Sequence, residues 1–288
     1  MSSYEVVTQR VIEAIENTKS IPWRRPWGAH SGNVTLPCNL TSNKPYRGIN
    51  IFLLSMMGYQ SPFWLTFKQA KSLGGSVKRG EKGCPVIFWS VIEKKNSKTN
   101  EIEKIPFIRH TSVFNVEQCD GIEIRELSEI ATATINPIEE CEAIVAGYVN
   151  PPVIIHRQQQ AFYSPSSDLV NMPKLEAFES AEEYYSTLFH ELVHSTAHTS
   201  RLNRKLGKGL NFFGSESYSK EELIAEMGSS FLCAMAGIES KTLDNSVAYL
   251  QGWVSALREK PKMLIEAASQ AQRACDLILG NQNSQLAQ

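Results

Sequence analysis

Val7, Val11 and Ile15 recur every four residues behind Ser2 and Ser3, either of which can cap, so the chain opens on an amphipathic helix running to about Lys19. The next stretch, PWRRPW at 22–27, cannot be regular helix or central strand, because Pro22 and Pro26 lack N–H groups and restrict the residues before them. It is a stiff segment that leans to the surface. NKPYRGINIFLL then reads as a turn feeding an apolar run. In TFKQAKSLGG, Thr66 and Gln69 fit a capping box and Gly74 and Gly75 a helix stop, which predicts a short helix. VKRGEKG is a basic loop bounded by glycines. The apolar runs PVIFWSVI and IEKIPFIRHTSVFNV flank the polar turn KKNSKTN, the pattern of a hairpin, with Trp89 expected in its core.

The pattern changes after about residue 125. A linker at about 123–136 passes into a helix after Pro137, and RQQQAFYSPSSDLVNMP predicts an extended segment. Apolar residues at helical spacing then dominate, in EEYYSTLFHELVHSTAH, in SKEELIAEMGSSFLCAMAG, and at about Asp244–Arg258 and Lys262–Leu279. The expected fold class is α+β with two domains: a small mixed α/β domain at 1–125 and a mainly helical domain at 126–288.

At 42% hydrophobic, 288 residues can bury one large core or two modest ones. No apolar run approaches the ~18 residues of a membrane span, and MSSYEVVTQR lacks the apolar stretch of a signal peptide, so a cytoplasmic protein with no membrane partner is expected. The six cysteines form no CxxC pair, which fits reduced thiols better than a disulfide frame.

Net charge alters the picture more. Residues 1–122 carry 16 Lys and Arg against 9 Asp and Glu, or +7, and the remainder carries 13 against 21, or −8. Four of the five tryptophans, Trp23, Trp27, Trp64 and Trp89, lie in the basic part. Cations interleaved with aromatic rings suit single-stranded nucleic acid, where cations follow phosphates and rings stack on unpaired bases. The candidate contacts are Trp23, Arg24, Arg25 and Trp27 of the proline-bounded arm, and Asn43, Tyr46, Arg47 and Asn50 of NKPYRGIN. Trp64, Phe67, Lys68 and Lys71 around the short helix and Lys78, Arg79 and Lys82 of the basic loop complete them. The loop is not a Walker motif, so nucleotide hydrolysis is not indicated.

The second part carries His190-Glu191-x-x-His194, with Ser180 and Glu183 as a capping box ahead of it. Residues four apart share a helix face with Cβ atoms about 5–6 Å apart, so two imidazoles can converge on one ion. Glu191 then faces the metal's open position, where a carboxylate can take the proton of a water attacking a carbonyl. That is peptidase chemistry on zinc or another divalent ion such as manganese. His198 lies ~12 Å of helix rise from His190, too far to share the ion, and is expected to support the site or to meet the carbonyl end of its own helix. The third ligand is Glu222 or Glu226, one turn apart on one face, and the other can hydrogen-bond a ligating histidine. Glu221 is expected to point elsewhere. Ser219 and Glu222 also fit a capping box, which would leave Glu222 only closing the helix start. Tyr163 and Asp168, on the extended segment beside the site, are weaker candidates, and that segment is a natural edge for a peptide backbone.

HELVH followed 28 residues after His194 by Glu222-Leu-Ile-Ala-Glu226 resembles the gluzincin arrangement, in which the first glutamate of this pattern is the third ligand. The chain as a whole resembles the ArdC family of plasmid antirestriction proteins. The likeness rests on PWRRPW, NKPYRGIN, FWLTFKQAKSLGG and VKRGEKG, then on FYSPSSDLVNMP, YYSTLFHELVHSTAHTSRLNR and YSKEELIAEMG. It implies a single-stranded-DNA-binding amino-terminal domain, a zincin-like metallopeptidase domain, and protection of DNA that enters a cell single-stranded, as in conjugation, from restriction. HSTAH departs from that family, whose members tend to carry an aromatic and a glycine there, which touches His198 and not the ligands. The alternative is a zinc protease that DNA recruits or activates against a protein substrate, similar to SprT-type repair peptidases.

Overall fold

The computed structural model describes residues 2–20, 36–95, 102–122, 136–204, 216–238 and 247–281. Helix α1 (Ser3–Thr18) starts where expected: Ser2 Oγ accepts from Glu5 N at 3.3 Å and the Glu5 carboxylate accepts from Ser2 N at 2.7 Å. Strand β1 (Cys38–Asn39) precedes the apolar run, which forms helix α2 (Ile49–Ser55), buried from Ile49 to Leu54. Strand β2 (Phe63–Thr66) runs into α3 (Phe67–Ser72) through the capping box of Thr66 and Gln69. Then come β3 (Ser76–Val77), the long hairpin β4 (Cys84–Lys95) and β5 (Ile102–Asn115), and β6 (Cys119–Asp120). The main sheet has the order β1-β2-β5-β4, and β3 pairs with β6 apart from it.

Helix α4 (Pro137–Gly147) is capped by Asn136, whose side chain accepts from Ile138 N at 3.1 Å. The strands β7 (Val153–Ile155), β8 (Phe162–Ser164) and β9 (Leu169–Asn171) form a small sheet in the order β7-β9-β8. The buried Asn171 amide closes the connection between β7 and β8, accepting from Arg157 N and Gln158 N and donating to the carbonyls of Gln158 and Gln160. Four long helices follow: α5 (Ala181–Ser195), α6 (Glu216–Ala236), α7 (Val247–Glu259) and α8 (Pro261–Ile278).

Two expected helix starts differ in detail. Ser180 Oγ accepts from Glu183 N at 3.2 Å, but the Glu183 carboxylate takes Glu179 N at 2.9 Å, so the cap of α5 is one-sided. Helix α6 begins at Glu216, which puts Ser219 inside it and overturns the reading of Glu222 as a cap.

The architecture is α+β with two domains, and one hydrophobic cluster runs through both. Helix α1 packs on α7 and α8, and α2 packs on α8 and β4. The rings of Phe52 on α2 and Phe231 on α6 stack at 4.7 Å and 15°. Polar contacts tie the same seam: Thr8 Oγ1 donates to Pro261 O at 2.8 Å, Gly48 N donates to Gln272 Oε1 at 3.0 Å, and Arg47 pairs with Asp276. A smaller cluster of Phe63, Leu65, Ala70 and Val116 lies between β2 and α3. All six cysteines are free, and burial pushes the thiols of Cys84, Cys141 and Cys233 up to about 12, which disfavours their reactive thiolate form.

Candidate metal centre

Helix α5 and helix α6 meet where Gly228 lies against Val193, and a Cβ on Gly228 would stand 2.8 Å from a Val193 methyl. That close approach brings Glu222 of α6 opposite His190 and His194 of α5. The two Nε2 atoms are 3.1 Å apart, Glu222 Oε2 is 3.4 Å from His190 Nε2, and Glu222 Oε1 is 3.3 Å from His194 Nε2. Three donors on a tetrahedral ion at ~2.0–2.1 Å stand ~3.3–3.4 Å from one another, so the spacing fits one divalent cation. Among the described residues this is the group of His, Cys, Asp and Glu with such convergence.

The electrostatics agree. Burial alone would lower the His194 imidazole, but Glu221, Glu222 and Glu191 outweigh it and push His194 up to about 10. Burial would raise Glu222, yet the two imidazoles hold it well below the usual carboxylate range. A pocket that favours a proton this strongly favours a cation in the same place. A set of two imidazoles and one carboxylate leaves a coordination position open, as catalytic zinc sites do and structural ones do not.

Glu191 is buried on α5 beside this group, and Glu226 is buried on α6 outside it. His190 Nδ1 is buried without a hydrogen-bond partner among the described residues, so the expected support of a ligating histidine by Glu226 is not formed there. Glu221 does not point away, which corrects that expectation: its Oε1 lies 3.7 Å from His194 Nδ1, and Arg204 grips the same carboxylate. Arg204 carried no signal in the sequence, because it reaches α6 from the connection after α5.

His198 also differs from expectation. Helix α5 ends at Ser195, and the His198 ring meets Ser200 Oγ at 2.8 Å and Asp168 Oδ2 at 3.9 Å, outside the group of His190, His194 and Glu222. Tyr163 and Asp168 join it in a brace rather than in the metal group. Tyr163 OH donates to Asp168 at 2.9 Å, and Arg201 pairs with Asp168 while donating to Ser195 O at 2.8 Å and Asn150 O at 2.9 Å. Burial and Asp168 push the Tyr163 hydroxyl up to about 12, while Arg201 and Tyr163 outweigh the burial of Asp168 and hold it low.

The nucleic-acid candidates divide. Trp23, Arg24, Arg25 and Trp27 lie outside the described residues. Trp64 is 2% exposed, on a strand between β1 and β5, and its ring meets Tyr59 edge to face at 5.7 Å. Tyr46 is buried as well, and the buried Asn50 side chain holds both backbone groups of Ile87 at 2.8 Å. These three are corrected: they build the core and offer no face to a base. Arg47 is engaged by Asp276. Asn43, Phe67, Lys68, Lys71, Lys78, Arg79 and Lys82 are exposed.

A helix carrying the two histidines, a glutamate from the next long helix and a short sheet alongside define a zincin-like metallopeptidase domain. Residues 139–270 match the family of zincin-like metallopeptidases, and residues 1–114 match the N-terminal domain of anti-restriction factor ArdC. The antirestriction protein ArdC of the R388 plasmid has been solved metal-free and Mn(II)-bound. The chain is 36% identical to it, with TM-scores of 0.76 over 98% of both chains and 0.77 over 100% of both. A Sinorhizobium fredii protein of unassigned function is 33% identical over 97% of this chain and 92% of its own length. Two Escherichia coli proteins described as DNA primase TraC are 36% and 34% identical over 98% of this chain, which spans 27% and 20% of their lengths. The chain belongs to the ArdC antirestriction family. No described helix is long and apolar enough to cross a membrane.

Proposed function

We propose that the protein binds single-stranded DNA through its amino-terminal domain and shields entering plasmid-type DNA from restriction, and that its second domain is a divalent-metal hydrolase of the peptidase type. The observation that carries the DNA reading is the edge around α3. Phe67 is 57% exposed at the head of that helix, Lys68 and Lys71 follow on it, and Lys78, Arg79 and Lys82 extend from the strand packed beside it. An exposed ring on the same short helix as two lysines can stack on an unpaired base while the cations meet its phosphates. The relatives described as antirestriction proteins and DNA primases support a role on DNA. The test is binding of the full chain to single strands and to duplex at several salt concentrations. Tighter single-strand binding that weakens steeply with salt is expected, and salt-independent or duplex-preferring binding overturns it.

In the second domain, His190, His194 and Glu222 would hold the ion, zinc or manganese. Bound there, it would lower the pKa of a coordinated water toward ~7 and polarise a carbonyl oxygen. Glu191, next to His190 in the chain and buried on the same helix, would serve as the general base for hydrolysis at such a site. Strand β8, at the edge of its sheet among the described residues and packed on α5, would give an extended peptide a strand to pair with. A second reading, a protease that DNA recruits or activates, is favoured by the Phe52–Phe231 stack, which joins the DNA-binding domain directly to the helix bearing Glu222.

A further inference from the structure

The Nδ1 edge of His194 faces a buried ion pair that the metal ligands do not account for. Both Glu221 oxygens are taken by Arg204, with Nε at 3.2 Å and Nη2 at 2.6 Å, and the same guanidinium donates to Thr196 Oγ1 at 2.7 Å and to Val193 O at 3.0 Å. The two side chains are 9% or less exposed. Stability alone is a poor reason for this arrangement, since well-packed apolar residues often replace a buried ion pair without loss. The position of the carboxylate supplies a better one.

A neutral imidazole carries one N–H, and a nitrogen that binds a metal must keep its lone pair free. His194 Nε2 faces His190 and Glu222, so the proton belongs on Nδ1, and Glu221 Oε1 lies 3.7 Å from that atom. This exceeds hydrogen-bond length, so the attraction is electrostatic, and a carboxylate on that side favours a proton on Nδ1. His190 Nδ1 is buried with no hydrogen-bond partner among the described residues. The two imidazoles are therefore unequal, and His194 is the anchored one.

We propose that Glu221, fixed by Arg204, is a positioning residue for His194, keeping its proton on Nδ1 and its Nε2 aimed as a ligand. The inference rests on the reading of His190, His194 and Glu222 as a metal centre. The competing account is a clamp that merely pins α6 to the end of α5.

The test uses the full chain stripped of metal, titrated with Zn2+ against a chromophoric chelator and with Co2+ followed by visible absorption. Glu221→Gln keeps an oxygen for Arg204 but removes the charge. It should bind Zn2+ about 10- to 100-fold more weakly and shift the Co2+ bands, with the melting temperature of the metal-free protein close to wild type. The double variant Glu221→Leu/Arg204→Met removes the pair without leaving a lone buried charge. It should fold and still bind weakly. Wild-type affinity and Co2+ bands in Glu221→Gln, or full affinity in the double variant, would show a clamp and overturn the proposal. A wild-type chain that binds neither ion overturns the metal centre itself and the inference with it.

Discussion

Gly228 of α6 packs directly on Val193 of α5, so closely that a Cβ would meet both Val193 methyls at 2.8 and 2.9 Å. Val193 sits between the two elements of the site, one residue before His194, and Gly228 lies six residues after Glu222 on the same helix. The distance between the helices, and with it the 3.3–3.4 Å reach of Glu222 to the imidazoles, is set by the missing side chain.

Gly228→Ala should therefore push α6 off α5. Overpacking of this kind costs about 1–3 kcal/mol, so a lower melting temperature is expected together with weaker metal retention. Scanning calorimetry with and without added Zn2+ checks both, and unchanged metal affinity would separate the helix spacing from the site.

Removal of single ligands should rank. His190→Ala and His194→Ala should lose the ion on dialysis, and Glu222→Ala should lose it far more readily than Glu226→Ala, because Glu226 lies outside the converging group. Metal content after dialysis is the measurement, and the reverse order of the two glutamates would transfer the ligand role to Glu226.

The pH dependence of the metal-free protein follows from two signs. His194 is raised from 6.5 to about 10, so its contribution to stability is complete below about 6.5 and is lost as pH rises through about 10. Glu222 is lowered, so its contribution is present above 4.5 and is lost in acid. A divalent ion competes with the His194 proton, so the rise in melting temperature on adding Zn2+ should grow between pH 6 and 8. A metal-induced rise that shrinks with pH over that range contradicts this.

Within the amino-terminal domain, Phe67 and Trp64 should behave as opposites. Phe67→Ala should weaken single-strand binding by about 1–3 kcal/mol with the melting temperature unchanged. Trp64→Ala removes a ring buried in the main core, on the strand between β1 and β5, and should cost about 3–5 kcal/mol of stability. Binding isotherms read beside melting curves distinguish the two.

What could be read from the sequence was local or periodic. The caps at Ser2 and Thr66, the helix start at Pro137, the hairpin around KKNSKTN and the four-residue spacing of His190 and His194 all need only neighbours along the chain. What could not be read depended on distant partners. Trp64 and Tyr46 look like surface aromatics among basic residues, but a strand with neighbours on both edges and the packing of α8 bury that part of the chain. Ser219 and Glu222 fit a cap, and only the three residues of helix that precede Ser219 remove it. Glu221 gained its place from Arg204, which arrives 17 positions away in sequence with no periodicity to announce it. The joining of the two domains through Phe52 and Phe231 was equally silent, since each lies in an ordinary apolar run.

The most direct test of the central claim is transfer of DNA by conjugation into a restricting host that makes equal amounts of wild type, Glu191→Ala, or a Phe67→Ala/Lys71→Glu/Arg79→Glu variant shown to fold. Protection that survives Glu191→Ala and fails in the triple variant is the predicted result if, as proposed, the exposed basic edge shields DNA without turnover at the metal centre. Protection lost in Glu191→Ala and kept in the triple variant would contradict the account and make the protein a protease first.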